Sequence, residues 1–351
     1  MDDDRNQCKA GLSICFIGPM LGRHSGWVPN PSEYLAPRLV ARGFQCMLVS
    51  SKLNRYMRLL DILWTLWQKR KLIDVVCLQV YGGPSFVVED AASLLACLSG
   101  LPIVMVLRGG DLPDFFARFP NWSRRVLGRA NVIVTPSGFL AEAVRRSGFE
   151  AVVIPNAIEV ENYPFLQRSQ VQPNFLWMRT FHDVYNPQMA VEVFAKIKDI
   201  YPQAILTMGG QEKGLLEATR HRAQELGVDD AVNFVGFLKL DDKQREFLRH
   251  DIFLNTNRVD NMPVSVIEAA AFGIPIVATK VGGVEYLLRD GETSLLVPTE
   301  DAEAMSQAVF RLLDEPGLAK RLSKNARALA ETYDWSVVLP MWENLFQKVL
   351  F

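Results

Sequence analysis

The chain of 351 residues carries no excess of charge of either sign: 38 basic residues stand against 39 acidic ones, a formal net charge of −1. That balance excludes the basic footprint on which bulk nucleic-acid binding depends. A long hydrophobic run is also missing. The most extended nearly uncharged stretch, residues 91–107, contains Gly100 and Pro102 and falls short of the ~20 apolar residues of a spanning helix, so a helix, a turn and a buried strand account for it. Cysteine is sparse and unpaired in pattern. Cys8, Cys15, Cys46, Cys77 and Cys97 form no C-x-x-C motif and mostly sit in apolar runs, which reads as buried thiols in a reducing compartment. The opening Met-Asp-Asp-Asp-Arg has neither the basic nor the apolar region of a secretory leader, so a cytoplasmic protein is expected. No His/Cys cluster, no D-x-D pair placed for a metal and no G-x-G-x-x-G fingerprint occurs, and no metal or cofactor is expected.

What is present is alternation. Short β-branched runs at 12–17, 45–49, 74–80, 102–107, 131–135 and 151–154 are separated by amphipathic stretches, and the pattern restarts at 175–178, 204–208, 231–235, 251–255, 274–278 and 294–297. Nearly continuous apolar strands alternating with helices predict α/β architecture with parallel sheets covered on both faces. At this length two such domains are the natural division. The boundaries are set at 1–165 and 166–334, and 335–351 is expected to be a terminal helix that returns to the first domain. Asn186 before Pro187 reads as a helix N-cap followed by proline at the first helical position.

Ligands of open α/β sheets bind beyond the carboxyl ends of the strands. The densest loop there is residues 255–283, in which a strand ends near Asn255, Asp260 follows in the loop, and a helix is expected from Pro263 to Phe272. A helix N-terminus offers unpaired amides, here those of Val264 and Ser265, and a partial positive charge suited to a diphosphate. Asp260 and Glu268 are then either acceptors for sugar hydroxyls or, more plainly, a cap and a solvated helix carboxylate. Gly18, Gly22 and His24 belong to a glycine-containing loop after the first strand, read as a surface turn or as backbone approach to a ligand. Arg108 and Asp111 follow the fourth strand, and a ligand contact and a salt-bridged loop remain equal readings for them. Residues 55–71 combine an apolar face, including Leu59, Leu60, Leu63 and Trp67, with a basic C-terminal cluster. A core-facing helix explains this most simply, with one that rests peripherally on anionic lipid as the alternative.

The 255–283 segment resembles the donor-binding signature of the retaining glycosyltransferases of family 4 (glycosyltransferase group 1). Asp260 and Glu268 have the family's spacing of two acids, and Gly273-Ile274-Pro275-Ile276-Val277, Gly282-Gly283 and residues 290–298 extend the match. The resemblance implies the GT-B fold, two Rossmann-like doubly wound parallel-sheet domains facing a central cleft. It further implies a hexosyltransferase that moves a sugar with retention from a nucleoside diphosphate sugar to a glycan, lipid-linked or small-molecule acceptor. Glu268 would bind the nucleotide ribose, Asp260 would stand near the donor sugar, and Arg179 would clamp the pyrophosphate. Asn261, Met262 and Gly209 join this donor side, and backbone near Gly236 and Phe237 would read the base.

Three positions depart from the family pattern. Asp260 stands where Glu is usual, Tyr185 where a second phosphate-binding cation (Lys) is usual, and Arg108 where a histidine is usual; Pro263 also replaces a common glycine. Arg258, Lys280 and His182 are the candidates to supply the missing positive charge. A degenerate paralogue that binds nucleotide or glycan without turnover, and a nucleotide-sugar epimerase of the same fold, are the rival readings.

Overall fold

The computed structural model describes residues 11–350 except Ser25, Gly26 and Val28. Cys8, the acidic opening and the Ser25-Gly26 step of the first loop therefore lie outside the described residues.

Among the described residues, twelve strands form two six-stranded parallel sheets. The first holds β1 Ser13–Ile17, β2 Gln45–Val49, β3 Val75–Val80, β4 Ile103–Leu107, β5 Val132–Thr135 and β6 Val152–Val153. The second holds β7 Asn174–Met178, β8 Ile205–Gly209, β9 Val232–Gly236, β10 Ile252–Asn255, β11 Ile276–Thr279 and β12 Leu295–Val297. Every strand expected from the apolar runs is present. The central strands are buried along their whole length, as a sheet covered by helices on both faces demands.

Strand order is β2-β1-β3-β4-β5-β6 in the first sheet and β12-β11-β10-β7-β8-β9 in the second. In each, the chain winds outward to one side of its first strand and then crosses to the other. The direction therefore reverses between β1 and β3, and between β7 and β10. Those two gaps are the switch points at which such sheets leave a crevice for ligands.

The chain divides into two compact units, one running to Pro155 and taking up Val338 onward, the other Asn156–Val337. The terminal helix Trp335–Leu350 starts in the second and continues in the first. There Phe346 meets Phe16 edge-on at 6.1 Å between ring centroids, and Glu343 pairs with Arg42 at 3.5 Å.

Arg168, which has no distinguishing context in the sequence, is 3% exposed and holds the second unit together. Its Nη1 donates to the carbonyls of Leu166 and Phe272, both at 2.8 Å, and its Nη2 to those of Phe247 and His250 at 2.6 and 3.2 Å. Phe247 and His250 lie at the end of helix Leu240–Arg249, and Phe272 at the end of helix Val264–Phe272. One cation thus satisfies orphan carbonyls of two helices where their dipoles are negative. Burial lowers its pKa, with Asp251 opposing the shift.

The cysteines need correction. Cys15 and Cys77 are buried, and burial pushes the Cys15 thiol up to about 12 and Cys77 higher still. Cys46, however, lies half-buried on the edge strand β2, and Cys97 is exposed on the outer face of helix Phe86–Leu98. An apolar run does not say which face of a helix a residue occupies.

Replacing Arg168 with leucine strands several buried carbonyls and should cost about 3–5 kcal/mol, as removal of one partner from a buried charged network does. The measurement is a urea titration, in which a lowered midpoint with an unchanged slope is expected. A midpoint shift equivalent to less than about 1 kcal/mol would show that water replaces the guanidinium at no cost.

Candidate functional site

The switch point of the second sheet gathers side chains from both flanking strands. Arg179 follows β7 directly, and its Nη2 donates to Asp260 Oδ2 at 2.5 Å while Nη1 reaches Ser265 Oγ at 3.2 Å. The guanidinium lies 4.1 Å over the Tyr185 ring centroid, a cation–π contact. Arg179 Nε is buried and has no partner. Asp260 is fully engaged: Oδ2 also accepts from Asn257 Nδ2 at 2.5 Å, and Oδ1 from the Asn261 N–H at 2.8 Å. Asn257 Oδ1 and both amide atoms of Asn255 are buried without partners in the same loop. Buried polar groups are rarely left unpaired, so these point to a ligand or water-filled position.

Two glycines let the loops come this close. A Cβ on Gly210 would stand 1.7 Å from the Arg179 carbonyl oxygen, and one on Gly283 would stand 1.5 Å from that of Asn261. Tyr185 is fixed through its carbonyl, which accepts from Thr256 Oγ1 at 2.8 Å. Asn186 takes a left-handed conformation, φ 45°, and caps helix Pro187–Ile200 through the Met189 N–H.

The helix that opens the site runs Val264–Phe272 with Pro263 at its cap. Val264 is partly exposed at its first position, and Ser265 follows. Glu268, one turn on, is 5% exposed. Both its oxygens accept from Lys243 Nζ, at 2.9 and 3.0 Å, and Oε1 also accepts from the Tyr163 hydroxyl at 3.1 Å. Lys243 carries no sequence signal, since its helix Leu240–Arg249 reads as a charged surface helix. Beside it, Gly209 ends β8 and pairs with Gly236, φ 70°, and Phe237 is 49% exposed.

Of the three cations proposed to replace the absent lysine, Arg258 and Lys280 are paired elsewhere, and His182 meets this group only through the Tyr185 ring, edge-on at 6.5 Å between centroids. Arg258 is bound to Glu300 and, at 2.7 Å, to Asp183; Lys280 faces Glu285 at 3.5 Å; His182 Nδ1 accepts from the Val184 N–H at 3.3 Å. Met262 is buried in the apolar core, where its sulfur and carbonyl both accept from Asn156.

In the first unit the expected residues separate. Asp111 sits against the backbone of Gly82 and Gly109 and lines a cleft of about 500 Å³ with Asp114, Phe115, Phe119 and Trp122. Arg108 Nε donates to Gln79 Oε1 at 2.9 Å, and burial lowers its pKa. Gly18 lines a different crevice, at the β1/β3 switch point. Gly22 is needed for packing, because a Cβ would stand 2.6 Å from Pro29, and its N–H donates to Glu33. His24 Nε2 lies 2.9 Å from the Ser51 carbonyl.

Comparison with known proteins agrees with this architecture. Residues 164–329 match the family model described as glycosyl transferases group 1, and residues 28–162 match glycosyltransferase family 4. The phosphatidyl-myo-inositol mannosyltransferase of Mycobacterium leprae is 26% identical over 239 residues, 65% of this chain and 61% of that protein. The chain spans between 25% and 61% of the length of the curated relatives it matches. Among solved structures, sucrose-phosphate synthase from Thermosynechococcus elongatus superposes with a TM-score of 0.80 at 16% identity, covering 96% of this chain and 99% of that one. HepE from Anabaena, solved with UDP and glucose, superposes with a TM-score of 0.78 at 14% identity, covering 96% and 100%. The two family models divide most of the sequence between them, and the chain belongs to the group 1 glycosyltransferases of family 4, with the GT-B fold.

Proposed function

We propose that the protein transfers a sugar from a nucleoside diphosphate sugar to a hydroxyl-bearing acceptor with retention of configuration. The observation that carries this reading is the convergence of Arg179, Ser265 and the first amides of helix Val264–Phe272 at the β7/β10 switch point. A diphosphate there would meet helix amides and a bidentate cation together. As the bond to the sugar breaks, charge grows on the departing phosphate, and these donors stabilise it. The same phosphate can take the acceptor's proton on the face it leaves, so no enzyme nucleophile is needed. Glu268, held in place by Lys243 and Tyr163, is the acceptor for ribose hydroxyls. Among the described residues no three His, Cys, Asp or Glu side chains converge on a metal position, and the reading assigns the leaving-group charge to Arg179 and the amides.

A second reading, binding without turnover, is favoured by one fact: Arg179 is already neutralised by Asp260 and rests on Tyr185 rather than beside a second cation. Thermal shift with UDP and GDP, followed by a transfer assay with the corresponding sugars, separates the two. A nucleotide that raises Tm and a product whose anomeric configuration matches the donor by NMR support the enzyme; a raised Tm with no product across the panel supports the binder. Arg179→Ala should lower kcat by about 10²–10³, the effect of losing one preorganised donor to a developing anion. Glu268→Ala should raise donor KM about tenfold or more while leaving kcat little changed, and unchanged kinetics would remove Glu268 from the donor site.

A membrane-borne acceptor is the form best supported. Helix Arg55–Lys69 buries Ile62 and Leu66 but exposes Tyr56, Met57, Leu60, Trp64 and Trp67. Lys52, Arg55, Lys69, Arg70 and Lys71 flank that stripe in sequence, with Arg55 over the Tyr56 ring and Arg70 over the Trp67 ring, and each basic residue near an anionic surface contributes about 1 kcal/mol. No helix among the described residues is long and apolar enough to cross a membrane, so contact would be peripheral. Co-sedimentation with phosphatidylglycerol-containing vesicles, and not with phosphatidylcholine alone, is expected. The double substitution Trp64→Glu, Trp67→Glu should abolish it, and failure of the unaltered protein to sediment with anionic vesicles would refute the contact.

A further inference from the structure

The first unit has its own switch-point crevice, between β1 and β3, and helices Arg55–Lys69 and Phe86–Leu98 wall it. Its volume is about 280 Å³, several times the ~30 Å³ share of one water molecule and close to the lower end for small-molecule sites. Ile17, Ile62, Leu78 and Val88 make it apolar, while Gln79, Tyr81 and Glu89 supply polar atoms. Glu89 is the unusual member. It is 3% exposed, its Oε1 accepts from the Tyr81 N–H at 3.1 Å, and its Oε2 has no partner.

A buried carboxyl oxygen without a partner is costly, and here it borders a space large enough for a ring. Arg58 lines the same crevice. Its guanidinium donates at 3.0 Å to the Lys52 carbonyl, not to Glu89. We propose that this crevice binds a neutral polyhydroxylated ring of about hexose size, with Glu89 Oε2 bonded to a ring hydroxyl. The proposal extends the transferase reading, and rests on it, in assigning the ring to the acceptor.

The protonation state suits that ligand. Burial pushes the Glu89 carboxyl up to about 8, against the opposing pull of its own and the Tyr81 N–H and of Arg58. The other titratable groups on this side are Tyr81 itself, raised by burial, and Arg108 and Glu33, which act on Tyr81. At the next position of the helix, Asp90 is engaged by Trp122, Arg125 and Arg129. Below about 8 Glu89 is therefore a neutral donor and acceptor, matched to a hydroxyl. The linkage sign follows: a raised carboxyl stabilises the fold least at high pH, and its contribution is lost as pH climbs from the ordinary 4.5 through about 8.

The test is saturation-transfer NMR on the full chain with methyl α-D-glucopyranoside, methyl α-D-mannopyranoside and myo-inositol, without nucleotide. Saturable transfer to at least one probe is expected at pH 7, weakening about tenfold by pH 9. Glu89→Ala should lose at least tenfold in affinity. Glu89→Gln, which stays neutral, should retain binding and remove its pH dependence, and should also flatten the decline of Tm between pH 7 and 9. UDP and GDP thermal shifts on the same variants report the other unit, so a lost sugar site and a failed donor reading are distinguishable. No transfer to any probe, or equal binding by Glu89→Ala, overturns the proposal.

Discussion

Much of the second unit depends on one guanidinium that does not touch the site. Arg168 gathers the carbonyl ends of helices Leu240–Arg249 and Val264–Phe272. The first of those helices carries Lys243, the second carries Ser265 and Glu268, and the Lys243–Glu268 pair joins them further along. Arg327 adds to the same end by donating to the carbonyls of Tyr163 and Ala271. Because helices are stiff, fixing their carboxyl ends sets the angle at which the amino end of Val264–Phe272 meets the loops after β7 and β10. A cation with five rigid donors can do this for several carbonyls at once, whereas an ammonium cannot.

The two units solve the same geometric problem and fill it with different chemistry. Each places polar groups at the gap where its winding reverses. In the second unit the gap holds charged pairs and close-packed backbone, made possible by Gly210 and Gly283. In the first it holds an apolar-walled crevice with a single buried carboxyl. A charged substrate group suits the former, and an uncharged one the latter.

The strands were legible in the sequence because parallel sheets bury both faces, which leaves continuous apolar runs between amphipathic ones. The place of the loop that carries Asp260, between β10 and helix Val264–Phe272, was legible for a similar reason, since strand ends and helix starts mark themselves locally. What stayed hidden were the pairings. Arg179 meets Asp260 across 81 residues of chain and Lys243 meets Glu268 across 25, and neither partner is specified by its neighbours. Nothing in the sequence separates Glu89 from its neighbour Asp90, and only the fold reveals that Asp90 faces arginines while Glu89 faces a cavity. The exposed stripe of helix Arg55–Lys69 shows the reverse: its amphipathic character was plain, but the buried face proved to be Ile62 and Leu66, leaving the tryptophans outside.

The pairing of Arg179 with Asp260 also bears on competition. Inorganic phosphate and other small anions are abundant around any protein, and an unpaired arginine at a helix N-terminus would attract them. Here an incoming anion must displace a carboxylate that already holds the guanidinium at 2.5 Å. A single phosphate would gain one set of contacts and break another. A ligand that engages several donors at once can exceed that cost, so a preformed ion pair sets a higher threshold for a small anion than for a ligand of several contacts.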